Sequence, residues 1–191
     1  MVEKITILSV LEPFLNRPYE DIHLADISRE INQPYSTIRQ HLNYLEKKGI
    51  LKKKTKGRLT LYSLNTESPL TLHYLSIAEK NRLINLAEKS LILKEFISYT
   101  GSNLDEDNIA IIFGSAAQDA EEANDIDIIV TGKIKSKKDI DKLGEKLNRK
   151  IHLINVSDLE KITPTLRNEV IKKHIIIKGT EEVLRWMIMR R

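Results

Sequence analysis

Cysteine is absent from the 191 residues. This excludes a disulfide scaffold, a thiol nucleophile and cysteine-ligated zinc. No apolar run approaches the roughly 18 residues that a membrane-spanning helix requires. The N-terminus carries an acid at Glu3 and lacks a small-residue cleavage site, so it does not read as a secretory signal and a cytoplasmic protein is expected. Glycine and serine form no linker, and there is neither an internal repeat nor a low-complexity tract. What is present suits a folded chain: 41% hydrophobic and 30% charged residues, enough to build a core and to solvate its surface.

Net charge is +4, and its distribution is more informative than its size. Residues 1–66 hold 11 basic and 7 acidic side chains, and residues 67–103 hold 4 of each. Residues 104–131 hold 8 acids and no base, whereas residues 132–191 hold 16 bases and 8 acids. A basic front and a sharply acidic stretch ahead of a basic tail divide the chain into functional modules. We expect a two-domain α/β (α+β) protein: a front domain over 1–66, a long helical connector over 67–103 and a rear domain over 104–191.

In the front module, Ile5, Leu8, Leu11 and Leu15 recur at helical spacing over 4–15, with Pro13 placed to shorten or kink the helix. Leu24, Ile27 and Ile31 repeat the pattern over 23–31, with His23 as a helix cap. Asn32-Gln33-Pro34 then breaks the run, and Pro34 is suited to the first position of a new helix. That helix carries Ile38, Leu42 and Leu45 on one stripe and stops at Gly49. Beyond it, Ile50-Leu51 and Leu59–Leu64 read as two strands flanking a basic hairpin tip, Lys52–Arg58. Five bases and no acid lie between residues 50 and 66.

Helix, turn, helix, basic hairpin is the order of a winged helix-turn-helix, and Leu24–Leu64 resembles that family in order and spacing. The resemblance implies that the second helix of the pair enters the major groove of double-stranded DNA by its N-terminal part. Mapped onto this chain, Tyr35, Ser36, Arg39 and Gln40 would meet the bases, with Asn43 a turn further on. Arg39 suits guanine and Gln40 suits adenine. Lys52, Lys53, Lys54, Lys56 and Arg58 would hold phosphates through a salt-dependent contact, with Lys53 gripping all sequences alike.

Ser68 and Pro69 open an apolar-rich connector that fits one or two helices and meets no glycine until Gly101. Its broad apolar face suits intrachain core or a second subunit equally. DNA readers with a single reading helix often work as two-fold dimers, which favours a homodimer.

In the rear module, Ile109–Phe113 reads as a buried strand that stops at Gly114-Ser115. Asp125–Val130 reads as a second strand, with Asp125 and Asp127 on one face and Ile126, Ile128 and Val130 on the other. A helical stretch over 137–149 leads to a third strand, Ile151–Val156, and two more helical pieces flank Ile175–Ile177. Paired carboxylates suit Mg²⁺, which keeps waters and bridges to phosphate oxygens. A Gly-Ser turn lets backbone N–H groups and a hydroxyl approach a phosphate. Together they suit phosphoryl or nucleotidyl transfer from a nucleoside triphosphate.

Gly114-Ser115, nine residues, then Asp125-Ile126-Asp127 between two apolar strands resembles the minimal nucleotidyltransferases of the DNA polymerase beta superfamily. The resemblance implies a small mixed sheet with flanking helices, nucleotide at Gly114 and Ser115, and Mg²⁺ with catalysis at Asp125 and Asp127. Three departures point to weak activity or none. The spacer is one residue short of the usual ten, and Ala116-Ala117-Gln118-Asp119 replaces the usual arginine and glycine. The position of a third carboxylate falls on His152. The whole order also resembles small prokaryotic, often archaeal, transcription regulators. The expected function is therefore a DNA-binding regulator with a nucleotidyltransferase-like domain. The alternative is an active enzyme that moves a nucleoside monophosphate onto a protein or small-molecule acceptor.

Overall fold

Proline and glycine set the limits of the front helices. The computed structural model describes residues 6–134 and 137–188. Its contacts divide the chain into one unit that runs to Asn81 and includes the chain from Met187, and a second unit of Arg82–Trp186.

In the first unit, α1 (Glu12–Asn16) is shorter than the helix expected over 4–15. Pro13 lies in its first turn, where a missing N–H costs no hydrogen bond, and among the described residues a 3-10 turn, Ser9–Leu11, precedes it. Ile5 lies outside the described residues. The two-residue strand β1 (Ile22–His23) leads into α2 (Leu24–Glu30). His23 occupies the N-cap position of α2, but its side chain makes no capping hydrogen bond. Asn32 then takes the left-handed conformation, φ 52°. Pro34 is the N-cap of α3 (Tyr35–Lys47), one residue ahead of the first-turn position expected for it.

α3 ends as its sequence requires. Gly49 adopts φ 71°. Its N–H reaches the Glu46 carbonyl at 2.9 Å while the Ile50 N–H reaches that of Leu45 at 2.9 Å. These two bonds form a Schellman cap that satisfies carbonyls left open at the helix end. Ile38, Leu42 and Leu45 line the inward stripe and are fully buried with Leu24, Ile27 and Ile50.

The basic segment is strand, not hairpin tip. β2 (Leu51–Lys56) pairs antiparallel with β3 (Leu59–Leu64), and only Gly57 and Arg58 lie in the turn. Glycine at the first central position of a two-residue turn matches the right-handed twist of the strands, so pairing extends through the lysines. β1 adds to the other edge of β3, giving the order β1-β3-β2.

The connector forms two helices, α4 (Pro69–Lys89) and α5 (Leu91–Asn103). The break falls at Ser90, whose extended backbone and side-chain oxygen cap the Leu93 N–H at 3.2 Å. Gly101 does not end the helix. The boundary between the two units lies within α4.

The second unit is built on a mixed sheet, β6-β5-β4-β7. β4 (Ala110–Phe113) runs antiparallel to both β5 (Asp125–Thr131) and β7 (His174–Lys178). β5 and β6 (Lys150–Val156) are parallel, and α6 (Lys137–Leu147) makes the crossover a parallel pair needs. α7 (Pro164–Lys172) and α8 (Thr180–Ile188) flank β7 in sequence. Ile112, Ile126, Ile128 and Val130 pack with Ile92, Leu93 and Phe96 of α5 into one core. The opposite face buries Ile111, Ile129 and Ile176, which are register neighbours, and leaves the Asp125 end of β5 open.

Candidate functional site

Two surfaces carry the chemistry, one in each unit. In the first unit, Tyr35, Ser36, Arg39 and Gln40 are all exposed at the N-terminal half of α3. The turn in front of them is fixed by the Ser28 hydroxyl donating to the Gln33 carbonyl at 2.6 Å and by the Gln33 N–H donating to the Ser28 carbonyl at 3.1 Å. Asn43, also expected to read bases, is half-buried and already engaged. Its side-chain oxygen accepts from the Tyr62 hydroxyl at 2.9 Å and from the Lys53 ammonium at 3.2 Å.

Every residue of β2 after Leu51 is exposed, as is Arg58 in the turn. Lys52 pairs with Glu67 at 3.0 Å and Lys54 with Asp21 at 3.6 Å. Both are solvent-facing pairs of small worth and do not cancel the field of the strand. Lys56 and Arg58 have no ion-pair partner among the described residues. Tyr62 was not singled out by its sequence pattern, although the signal was there. A two-residue turn at Gly57-Arg58 sets a register in which Lys53 faces Tyr62. Burial pushes the Tyr62 phenol above its ordinary range, while the Arg39 guanidinium pulls in the opposite direction. The phenol therefore remains a donor.

In the second unit, Gly114 sits directly after β4 with φ 74°. A Cβ there would lie 3.1 Å from Asp127 Oδ2, so the glycine lets the bend approach the carboxylate. Ser115 is exposed, and its carbonyl accepts from the N–H groups of Gln118 at 2.9 Å and Asp119 at 3.1 Å. The structure thus brings Gly114 and Asp127 together. Asp125 lies two residues before Asp127 on the same strand face, its side chain 46% exposed against 33% for Asp127.

His152 faces Asp127 across the parallel register of β5 and β6. Its Nδ1 lies 3.1 Å from Asp127 Oδ1 and 3.7 Å from Asp125 Oδ2. That nitrogen is within hydrogen-bond reach of Asp127 only, with Asp125 just beyond it. Two other acids of the segment have structural duties: Asp119 accepts from the N–H groups of Glu121 and Glu122, and Glu121 accepts from the Ser90 hydroxyl at 2.8 Å. Among the described residues, no group of three or more His, Asp or Glu is arranged to hold a metal ion. Two adjacent carboxylates are a donor set that suits one hard divalent cation completed by waters and phosphate oxygens.

A family model described as penicillinase repressor matches residues 6–110, and one described as polymerase beta, nucleotidyltransferase matches residues 94–183. No curated protein and no solved structure matches the chain. No helix among the described residues is long and apolar enough to cross a membrane.

Proposed function

The chain belongs to the penicillinase repressor family and carries a polymerase beta-type nucleotidyltransferase domain behind its DNA-binding half, and from that premise we propose a transcriptional regulator with a nucleotide-binding rear domain of little or no turnover. The observation that carries the DNA reading is the exposure of Tyr35, Ser36, Arg39 and Gln40 beside an exposed lysine strand. The helix end is narrow enough to enter the major groove, where side-chain donors and acceptors distinguish base pairs. The strand supplies a cationic field for phosphates on either side.

Regulators that read one half-site per subunit work as two-fold dimers, and a homodimer fits this chain. Leu70 and Ile77, each at least half exposed on α4, offer apolar surface to a second copy.

In the rear domain, Gly114 and Ser115 would cradle phosphates, and Asp125 with Asp127 would hold Mg²⁺. That ion, when bound, supplies positive charge to triphosphate oxygens. With His152 where a third carboxylate would assist an attacking hydroxyl, binding is supported better than transfer. The test is fluorescence anisotropy of the full chain on duplexes recovered by selection from a random-sequence pool. Affinity is expected to fall about a thousandfold or more between 50 and 200 mM salt if six or more phosphates are neutralised. Binding that is absent, or indifferent to salt, would remove the proposal.

A further inference from the structure

The lysines of β2 do not form one uniform patch. Side chains alternate along a strand, so Lys52, Lys54 and Lys56 share one face while Leu51, Lys53 and Thr55 share the other. Lys52 and Lys54 hold their surface partners Glu67 and Asp21 on the first face. Lys53 is turned toward α3. Its ammonium donates to Asn43 at 3.2 Å and lies 5.9 Å from the centre of the Tyr62 ring. Tyr62 is fully buried, and its hydroxyl holds the same Asn43 oxygen at 2.9 Å. Asn43 lies one turn beyond Arg39, on the face that also carries Ser36 and Gln40. Arg39, one turn earlier on α3, and Lys53, from the adjacent strand β2, therefore lie on either side of Asn43. Two like charges flanking one side chain favour an anionic or acceptor-rich ligand there.

We propose that Lys53 belongs to the base-reading surface of α3, and that Tyr62, acting through Asn43, is the positioning residue that holds it there. The proposal rests on the DNA-binding reading above. It separates Lys53 from Lys52, Lys54 and Lys56, which face phosphates. It also gives Asn43 a supporting duty in place of direct readout. The ligand class is the acceptor edge of a guanine in the major groove, next to the base met by Arg39.

The test compares a duplex recovered by selection with wild-type protein against a scrambled duplex of the same length and composition, at fixed salt. Lys53→Ala is expected to lower affinity for the selected duplex about tenfold while changing the scrambled duplex less than about threefold. Lys54→Ala is expected to weaken both equally. Tyr62→Phe keeps the ring and removes only the donor, and is expected to reduce the selected-to-scrambled ratio in the same direction as Lys53→Ala. The double variant is expected to lose no more discrimination than Lys53→Ala alone, because Tyr62 acts through that side chain. Should Tyr62→Phe fold poorly in a thermal scan, Asn43→Ala reads the same tie from the accessible side. Equal losses on both duplexes for Lys53→Ala would make Lys53 a phosphate contact and overturn the proposal while leaving DNA binding intact. Additive losses in the double variant would overturn the positioning duty of Tyr62. A wild-type protein that binds neither duplex would remove both this inference and the reading beneath it.

Discussion

The two units handle charge in opposite ways. In the first, β2 exposes four lysines, and its nearest acids, Asp21 and Glu67, are themselves solvent-facing. In the second, Asp127 of the acid pair already has a hydrogen-bond partner, His152, drawn from the neighbouring strand, and Asp125 lies 3.7 Å from the same nitrogen. Cations that outnumber their solvent-facing acids leave a net positive field that requires its complement from outside, and nucleic acid is the polymer that offers one along its whole length. A carboxylate pair with one member bonded to an imidazole has part of its need met internally. The difference teaches that a family motif can be retained in its backbone geometry while the side chain opposite decides what the motif can hold. Gly114 still makes room for Asp127, yet the facing residue is a nitrogen donor.

The comparison breaks most readily at the wing. Replacing Lys52, Lys54 and Lys56 together by glutamate reverses the outward face of β2 and leaves Lys53 in its place against α3. At 0.1 M salt the affinity for any duplex is expected to fall about a hundredfold or more, since three cations are lost and three like charges are gained. Anisotropy with selected and scrambled duplexes checks this. A loss below about fivefold would mean that the field of β2 is not what holds DNA.

The next largest effect sharpens the comparison at the rear. His152→Asp replaces the hydrogen-bond partner of Asp127 by a third carboxylate facing it. Divalent-cation affinity is expected to rise about tenfold or more, because hard cations bind in proportion to the number and charge of their oxygen ligands. Calorimetric titration of Mn²⁺ reads the change directly, and Asp127→Asn in the same background is expected to abolish it. If His152→Asp binds no more tightly than wild type, the carboxylates are not arranged around a common cation and the rear site is something other than a metal-nucleotide pocket.

Much of this organisation was legible in the sequence because it rests on strong local signals. The stripe Ile38, Leu42, Leu45 and the stop at Gly49 define α3, and the apolar run ahead of Gly114 defines β4. The alternation at Asp125 and Asp127 anticipated their shared face, and the bend at Gly114 lies against Asp127 as the motif implies. Several misreadings concern residues whose structure is decided by a partner on another element. A run such as Lys52–Lys56 has no apolar alternation to announce a strand, and it becomes one because Gly57 turns the chain so that β3 can pair with it. Ile22-His23 is too short to signal anything alone, and it exists only as an addition to β3. Asn43 has the right residue type and spacing for a base reader, but sequence could not reveal that Tyr62 and Lys53 would take its oxygen.

The smallest expected effect contrasts one buried tyrosine in each unit. Burial pushes both phenols above their ordinary range; at Tyr62 the Arg39 guanidinium opposes the shift while Glu46 and Tyr35 add to it, and at Tyr99 Asp139 adds to it. Their hydrogen bonding differs too. Tyr62 donates to Asn43, while the Tyr99 hydroxyl has no partner among the described residues. Removing a satisfied donor is expected to cost about 1 kcal/mol, whereas removing an unsatisfied one is close to neutral. Tyr62→Phe is therefore expected to lower the thermal midpoint at pH 7 by a few degrees, and Tyr99→Phe to leave it unchanged or raise it slightly. A phenol raised in the folded state contributes stability that is complete below its unfolded value near 10 and is lost as pH rises through the folded value. Wild-type stability is thus expected to decline above about pH 10, and Tyr62→Phe and Tyr99→Phe each to flatten that decline. Midpoints measured at pH 7 and pH 10.5 for the three proteins decide the matter. A decline as steep in both variants as in wild type would mean that folding raises neither phenol.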